Sequence, residues 1–356
     1  MAVIRMIDAV RDALREEMER DANVVLMGED IGVNGGVFRA TDGLWQTFGD
    51  ERVMDPPLAE SGIVGVAIGA ALNGLRPVAE IQFVDFIYPA FNQIVSEAAR
   101  HCYRTNGEYP VPMVIRAPFG GGVHGGLYHS QSVEAFFLHV PGLKVVIPSN
   151  PYDAKGLLKT AIRDDNPVLV FEGKMMYNDK GPVPEEDYTI PFGVAEVKRV
   201  GDDCTIIAIS SMVGLALEAA ETLSLEDDIS VEVVDPRTLV PLDEETLIGR
   251  LPLEANIQDL LGKLRDEYAE RGVHLSEVGG RWRFETAPDL ADARSAQFAD
   301  RTIGVNGADP AHIGQVHLRE RRPERPVDRA IDQLEPLAQF GIEVRDPARG
   351  VQLFER

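Results

Sequence analysis

The sequence predicts an α/β fold built on a parallel sheet, followed by a smaller α/β unit and a C-terminal region of different character. Three observations carry this. Apolar runs of strand type alternate with segments of helical periodicity through residue 172, the pattern of parallel strands covered by helices on both faces. A stretch rich in proline, glycine and charge, residues 178–191, interrupts the alternation. One further βαβ pattern follows it, and then the alternation stops.

Met6, Ala9, Val10 and Leu14 recur at helical spacing, so residues 5–20 are expected to form an amphipathic helix, with a buried strand at 24–27. Gly28-Glu29-Asp30 then falls at the carboxyl end of that strand, where open α/β sheets bind ligands. Residues 52–55 are strand-like, 56–61 a turn, and 62–71 a helix of small residues. Its interior glycines each cost roughly 0.8–1 kcal/mol against alanine, which points to close packing against another backbone. Strands follow at 76–83, 111–116, 143–148 and 168–172, and helices at 89–104 and 153–163. After the linker, a strand at 205–210, a helix at 212–223 and a strand at 231–235 make the last βαβ unit. Two strands alone cannot bury both faces, so Ile206, Ile207, Val231, Val233 and Val234 are expected to be exposed unless later residues cover them.

A chain of 356 residues accommodates two or three domains. Its formal charge is −23, and residues 249–356 hold 16 Lys+Arg against 19 Asp+Glu, so nearly all the excess lies before them. An acidic surface of that kind disfavours nucleic acid and anionic membranes as partners. Cys102 and Cys204 are far apart and form no C-x-x-C pattern, which suits a reducing cytoplasm rather than a disulfide framework. The longest apolar run, residues 63–72, falls short of the ~20 residues of a membrane span, and the N-terminus is unlike a signal peptide.

Chemistry concentrates in residues 120–131, Gly-Gly-Gly-Val-His-Gly-Gly-Leu-Tyr-His-Ser-Gln, with five glycines in the first seven positions. Such a bend lets backbone approach a ligand closely, and the His129-Ser130-Gln131 triplet can reach into the opening. With Gly28-Glu29-Asp30 and Leu58-Ala59-Glu60-Ser61-Gly62, this loop resembles the beta subunit of the thiamine diphosphate-dependent 2-oxoacid dehydrogenases, of pyruvate or branched-chain type. The resemblance runs from about residue 2 to about residue 248. It implies a transketolase-like pyrimidine-binding domain at 1–177, a linker at 178–192 and an incomplete transketolase C-terminal-type domain at 193–248.

The resemblance further implies that Glu60 supports the imino form of the cofactor's aminopyrimidine, while Glu29, Leu58, Gln82 and Phe86 line its pocket. Many relatives carry tyrosine in place of Phe86, so a hydroxyl hydrogen bond is missing there. His129 would handle protons at the 2-oxoacid and the acyl acceptor, for which its ordinary pKa of about 6.5 is suited. Each has a plainer reading: Glu60 as a first-turn glutamate favoured by the helix dipole, Glu29 as a solvated strand-end carboxylate, His129 as a cap on the glycine turn. Oxygens of Met113, Ala161, Ile162, Asp164 and Asn166 resemble a potassium site, although Asp-Asn-Pro turns commonly hold no ion. The magnesium-diphosphate motif of thiamine enzymes, Gly-Asp-Gly with a later Asn-Asn, does not occur. By resemblance, an alpha subunit would hold the diphosphate and Mg2+, with a second beta subunit and a lipoyl transacylase completing the partners.

Beyond residue 248 the sequence changes character. Ile257, Leu260, Leu261, Leu264 and Tyr268 predict an amphipathic helix over 257–271, and residues 273–286 read as a hairpin turning at Gly279-Gly280. Residues 251–291 resemble part of the first winged-helix domain of segregation and condensation protein B, so 249–292 is expected to be winged-helix-like and α+β. Residues 293–356 are assigned to no family, though 328–339 have helical pattern. The alternative to the enzyme reading is a fused or rearranged chain with a chromosome-segregation adaptor segment and little or no activity.

Overall fold

The computed structural model describes residues 1–250, then Gly262, Arg265, Asp266 and Ala269, and the strand residues 273–278, 281–286, 315–318, 343–346 and 350–351. Two units are present, residues 1–248 with 313–356, and residues 249–312.

The first unit begins with β1 (Ala2–Arg5), α1 (Met6–Arg20), β2 (Val24–Gly28), α2 (Leu44–Phe48), β3 (Val53–Met54), α3 (Glu60–Leu72) and β4 (Arg76–Glu80). A π-helical turn, Gln93–Ala98, leads into α4 (Ala99–Arg104). Then come β5 (Val114–Phe119), β6 (Lys144–Val146), α5 (Pro151–Arg163), β7 (Val168–Gly173) and β8 (Lys180–Val183). The unit continues through β9 (Glu196–Arg199), β10 (Cys204–Ile207), α6 (Ser211–Glu226), β11 (Val231–Asp235), β12 (Thr238–Val240) and α7 (Glu244–Ile248).

Seven strands form the main sheet in the order β12-β6-β7-β5-β4-β2-β3. All pairs are parallel except β12, which runs antiparallel to β6. Every residue of β2, β5 and β7 is buried, as strands covered on both faces must be. One face is packed by α1 and α5 through Met6, Val10, Leu14, Met18, Leu158 and Ile162. The other is packed by α3 and the segment around Phe137.

Three charged side chains sit inside this sheet. Arg116 of β5 donates through Nε and Nη2 to both oxygens of Glu172 on β7, at 2.8 and 2.7 Å, and through Nη1 to Glu80 on β4 at 2.6 Å. The Tyr177 hydroxyl donates to the same Glu172 at 2.7 Å. Arg116 is only 1% exposed. Burial alone would weaken its hold on the proton, but Glu172 and Glu80 outweigh it and raise its pKa. The network ties three adjacent strands, β4, β5 and β7.

Residues 180–183, placed in the predicted linker, instead form β8 and pair antiparallel with β1. The predicted 89–104 helix begins only at Phe91, because short 3-10 turns at Val84–Phe86 and Tyr88–Ala90, the second containing Pro89, occupy the preceding residues.

The expected bare pair of strands is not bare. β10 and β11 are parallel, β9 flanks β11 antiparallel, and Gln315–Leu318 (β15) pairs antiparallel with the other edge of β10. Two further strands, Glu343–Asp346 (β16) and Gly350–Val351 (β17), extend that edge. Ile206, Val231, Val233 and Val234 are fully buried and Ile207 partly so; Ile206, Val231 and Val233 share a cluster with Val213, Ala216, Ala220 and Leu223 of α6. Arg237 links this sheet to the first by donating to Asp153 at 3.3 Å and to the Val194 carbonyl at 2.8 Å.

In the second unit, Val273–Val278 (β13) and Arg281–Thr286 (β14) form the expected antiparallel pair. The expected turn at Gly279-Gly280, most of the expected helix at 257–271, and the one at 328–339 lie outside the described residues.

Replacing Arg116 by methionine is expected to destabilise the chain by about 3–5 kcal/mol, because two buried carboxylates lose their counter-charge. Urea unfolding of the full chain measures this. A loss below about 1 kcal/mol would show that the carboxylates are accommodated without the guanidinium.

Candidate active site

β2 passes so close to β4 that a Cβ on Gly28 would stand 2.8 Å from the Glu80 carbonyl oxygen, and only glycine is accommodated there. The chain then turns through Glu29 and Asp30, with Asp30 at φ +59°. Asp55, just after β3, holds this turn by accepting the Asp30 N–H at 2.8 Å and the Gly32 N–H at 3.3 Å. Gln82, two residues beyond β4, donates to Asp30 Oδ2 at 3.0 Å and to the Glu29 carbonyl at 3.4 Å. Loops after β2, β3 and β4 therefore meet in one hydrogen-bonded cluster at the carboxyl ends of their strands.

Glu29 is buried, and its Oε1 has no hydrogen-bond partner. Burial raises its pKa above the ordinary value, the charge of Glu60 adds to this, and the Ala59 N–H opposes it. Glu60 is the first residue of α3 and is also buried, at the helix end that favours negative charge. Two carboxyl groups thus share a small site, one with an unfilled acceptor. Such an arrangement is ready to receive hydrogen-bond donors, or a protonatable ring nitrogen, from a ligand.

His129 lies over aromatic rings on the next loop. Its ring meets Phe83 edge-on at a centroid distance of 4.5 Å and Phe86 at 5.6 Å. Phe83 also packs against Phe38 and Phe86. Nδ1 of His129 lies 3.0 Å from the Gly125 carbonyl. A carbonyl only accepts, so in the neutral ring Nδ1 carries the proton and Nε2 keeps the lone pair. Gly125 must be glycine, since a Cβ there would stand 2.7 Å from His129 Cβ. The loop is closed by the Gly120 N–H donating to the Gln131 carbonyl at 2.9 Å, while His124, at φ +55°, is exposed on its surface.

The structure therefore brings Glu29 close to Glu60, Gln82 onto the turn that carries Glu29, and Phe86 against His129. Leu58 is different: its side chain is 78% exposed. Val33, Leu127 and Tyr128 are also exposed. Sequence reading missed Asp55, Phe83, Asp85 and Lys174; the Phe83/Phe86 spacing was a signal for part of that set.

Residues of the expected cation turn are hydrogen-bonded within the chain. Asp164 is held by the Lys144 ammonium and by the Asn166 N–H at 2.8 Å. Arg76 donates to the carbonyls of Ile162, Arg163 and Asp164, at 2.9, 2.7 and 3.2 Å. The Met113 carbonyl accepts from the Val168 N–H, and that of Ala161 from the Asp164 N–H. Arg76 and Lys144 thus engage oxygens of Ile162 and Asp164, two of the five residues of the expected potassium site. Among the described residues no group of three or more His, Cys, Asp or Glu is placed to hold a metal.

Glu29→Gln should stabilise the isolated chain at neutral pH, because it removes a negative charge that burial and the neighbouring Glu60 disfavour. The sign follows from the raised pKa. Folded Glu29 binds its proton more readily than unfolded Glu29, so the penalty is absent at low pH and appears as pH rises through the elevated value. Thermal unfolding between pH 4 and 8 tests it; a glutamine variant less stable at pH 7 would contradict the assignment.

Comparison with known proteins agrees with this geometry. Residues 2–180 match the transketolase pyrimidine-binding domain, and residues 193–251 the transketolase C-terminal domain. The chain is 60% identical over 249 residues to 2-oxoisovalerate dehydrogenase subunit beta of Bacillus subtilis (strain 168), covering 70% of this chain and 76% of that one. It is 53% identical over 250 residues to pyruvate dehydrogenase E1 component subunit beta of the same organism, covering 70% and 77%. A solved structure of a split-gene transketolase, an inactive beta4 tetramer, aligns with a TM-score of 0.57 at 26% identity, covering 69% of this chain and 76% of that one. These matches give no support to the alternative of a rearranged chain, and they do not address the winged-helix resemblance of 251–291. No helix among the described residues is long and apolar enough to cross a membrane. The chain belongs, on a transketolase-like fold, to the E1 beta subunits of the thiamine diphosphate-dependent 2-oxoacid dehydrogenases.

Proposed function

We propose that this chain is the beta half of a 2-oxoacid dehydrogenase active site, working on pyruvate or a branched-chain 2-oxoacid and passing the acyl group to lipoamide. The observation that carries the reading is the buried Glu29–Glu60 pair, with an unpartnered carboxylate oxygen, on loops at the carboxyl ends of the parallel strands. The donor set fits an aminopyrimidine, whose ring nitrogens and amino group need acidic and accepting partners. Residues 1–177 serve in this reading as the pyrimidine-binding domain, 178–192 as the link, and 193–248 as part of the C-terminal domain.

Thiamine diphosphate, when bound, supplies the nucleophilic carbon and the electron sink for loss of carbon dioxide. Glu60 would hold a proton at the pyrimidine ring nitrogen of the bound cofactor, a hydrogen bond that would favour the basic form of the cofactor's amino group. Glu29 would accept from the ring's polar edge, and Gln82 fixes the turn that carries it. Phe86 and the exposed Leu58 would lie against the bound ring. His129 exchanges protons with the substrate and the acyl acceptor through Nε2, its tautomer set by the Gly125 carbonyl. An alpha subunit holds the diphosphate and Mg2+, for which this chain carries no motif. Two beta chains join two alpha chains, and a lipoyl transacylase receives the acyl group. Cys102 and Cys204 are free thiols, which supports a cytoplasmic setting.

In enzyme reconstituted with an alpha subunit, Glu60→Gln should lower turnover by about 10²–10⁴-fold, the range for loss of a positioned proton-transfer group, with the unfolding temperature unchanged. His129→Ala should impair acyl transfer to a lipoyl acceptor more than decarboxylation read with an artificial electron acceptor. Steady-state assays with both acceptors measure this. Wild-type turnover in Glu60→Gln would remove the carboxyl group from the mechanism.

A further inference from the structure

Lys174 begins the 3-10 turn that follows β7, and it is only 4% exposed. Its ammonium has no hydrogen-bond partner. It lies 3.9 Å from Asp85 Oδ2, an oxygen that is likewise unpartnered, and 5.4 Å from the centroid of the Phe83 ring. The other Asp85 oxygen accepts two backbone N–H groups, from Ser130 at 3.1 Å and from Gln131 at 3.2 Å. Those are the two residues that follow His129. Phe83, the ring beneath the ammonium, is also the ring that meets His129 edge-on at 4.5 Å. One buried cation thus touches both supports of His129.

A buried lysine without hydrogen bonds is a costly way to fill space that methionine would fill as well. Burial pushes the Lys174 pKa down, and Asp85 opposes that shift. The ammonium beside Oδ2 holds the Asp85 carboxyl group in place from one side, and its other oxygen is thereby kept where the Ser130 and Gln131 N–H groups donate to it. The cation over the face of Phe83 adds an attraction that fixes the ring on which His129 rests.

We propose that Lys174, acting through Asp85 and Phe83, is a positioning residue that holds the His129 loop in its working geometry. This rests on the reading of His129 as the proton-handling residue. It concerns a side chain that makes no part of the Glu29–Glu60 cluster.

The test is hydrogen exchange on the full chain assembled with its alpha subunit, with turnover measured on the same material. In Lys174→Met the Ser130 and Gln131 amides should lose about tenfold or more of their protection while the β5 amides keep theirs, because only the local anchor is removed. Turnover should fall by about tenfold in the wild-type background but by less than about twofold in a His129→Ala background, since a residue acting through His129 has nothing left to position. Unchanged exchange at Ser130 and Gln131 would overturn the proposal. So would an equal loss of turnover in both backgrounds, the result of a merely structural role. Should the methionine variant not assemble, Lys174→Gln, which keeps donors but drops the charge, is read by the same criteria. If His129→Ala alone retains wild-type turnover, the assignment of His129 fails, and the exchange data still decide whether Lys174 orders the loop.

Discussion

Arg116 bridges Glu80 and Glu172 from the middle strand of three, and the loops that carry Gln82, His129 and Lys174 all leave from those strands. β4 ends at Glu80 and delivers Gln82, Phe83, Asp85 and Phe86 within the next six residues. β5 carries Arg116 and runs directly into Gly120 and the His129 loop. β7 carries Glu172 and delivers Lys174 two residues later. A guanidinium with two carboxylates in a sheet interior stabilises less than a well-packed apolar trio would, but its directional bonds fix the lateral register of strands that hydrophobic packing leaves tolerant. Placing such a network directly beneath the ligand loops trades stability for position.

The same trade recurs above it. Glu29 is held without a full set of partners, next to a second carboxyl group, so an unfilled acceptor stands where the loops after β2 and β3 meet. Lys174 and Asp85 repeat the pattern on the His129 side. Leu58, Val33, Leu127 and Tyr128 stand out into solvent nearby in the sequence of the same loops. Side chains of this type are spent usefully only if another surface and a ligand complete them. That is what a half-site should look like before it is joined to its other half.

Much of the site was legible because its residues are anchored to strand ends, and strand ends are marked by apolar runs. The Val24-Val25-Leu26-Met27 run places Glu29, and the strand beginning at Arg76 places Gln82, once the turn after Glu80 is allowed for. Glu60 was marked by the small-residue helix that it begins. The Arg116 network was not legible, since a charged residue inside an apolar run carries no local sign of which distant strand supplies its partner. Asp85 and Lys174 were missed for the same reason, being 89 residues apart in sequence. β8 and β9 were missed because Lys-Gly-Pro-Val and Glu-Val-Lys-Arg lack the apolar content of core strands. The apparent orphan sheet was misjudged because its edges are covered by just such a segment, β9, and by strands more than a hundred residues downstream.

An active site divided between chains has a direct signature in binding. Calorimetric titration of thiamine diphosphate with Mg2+ into this chain alone should give no measurable binding, and the same titration into the chain assembled with an alpha subunit should give saturable binding that needs the metal. Tight, magnesium-dependent binding by the isolated chain would contradict the account, because the whole cofactor would then be held by residues of this chain.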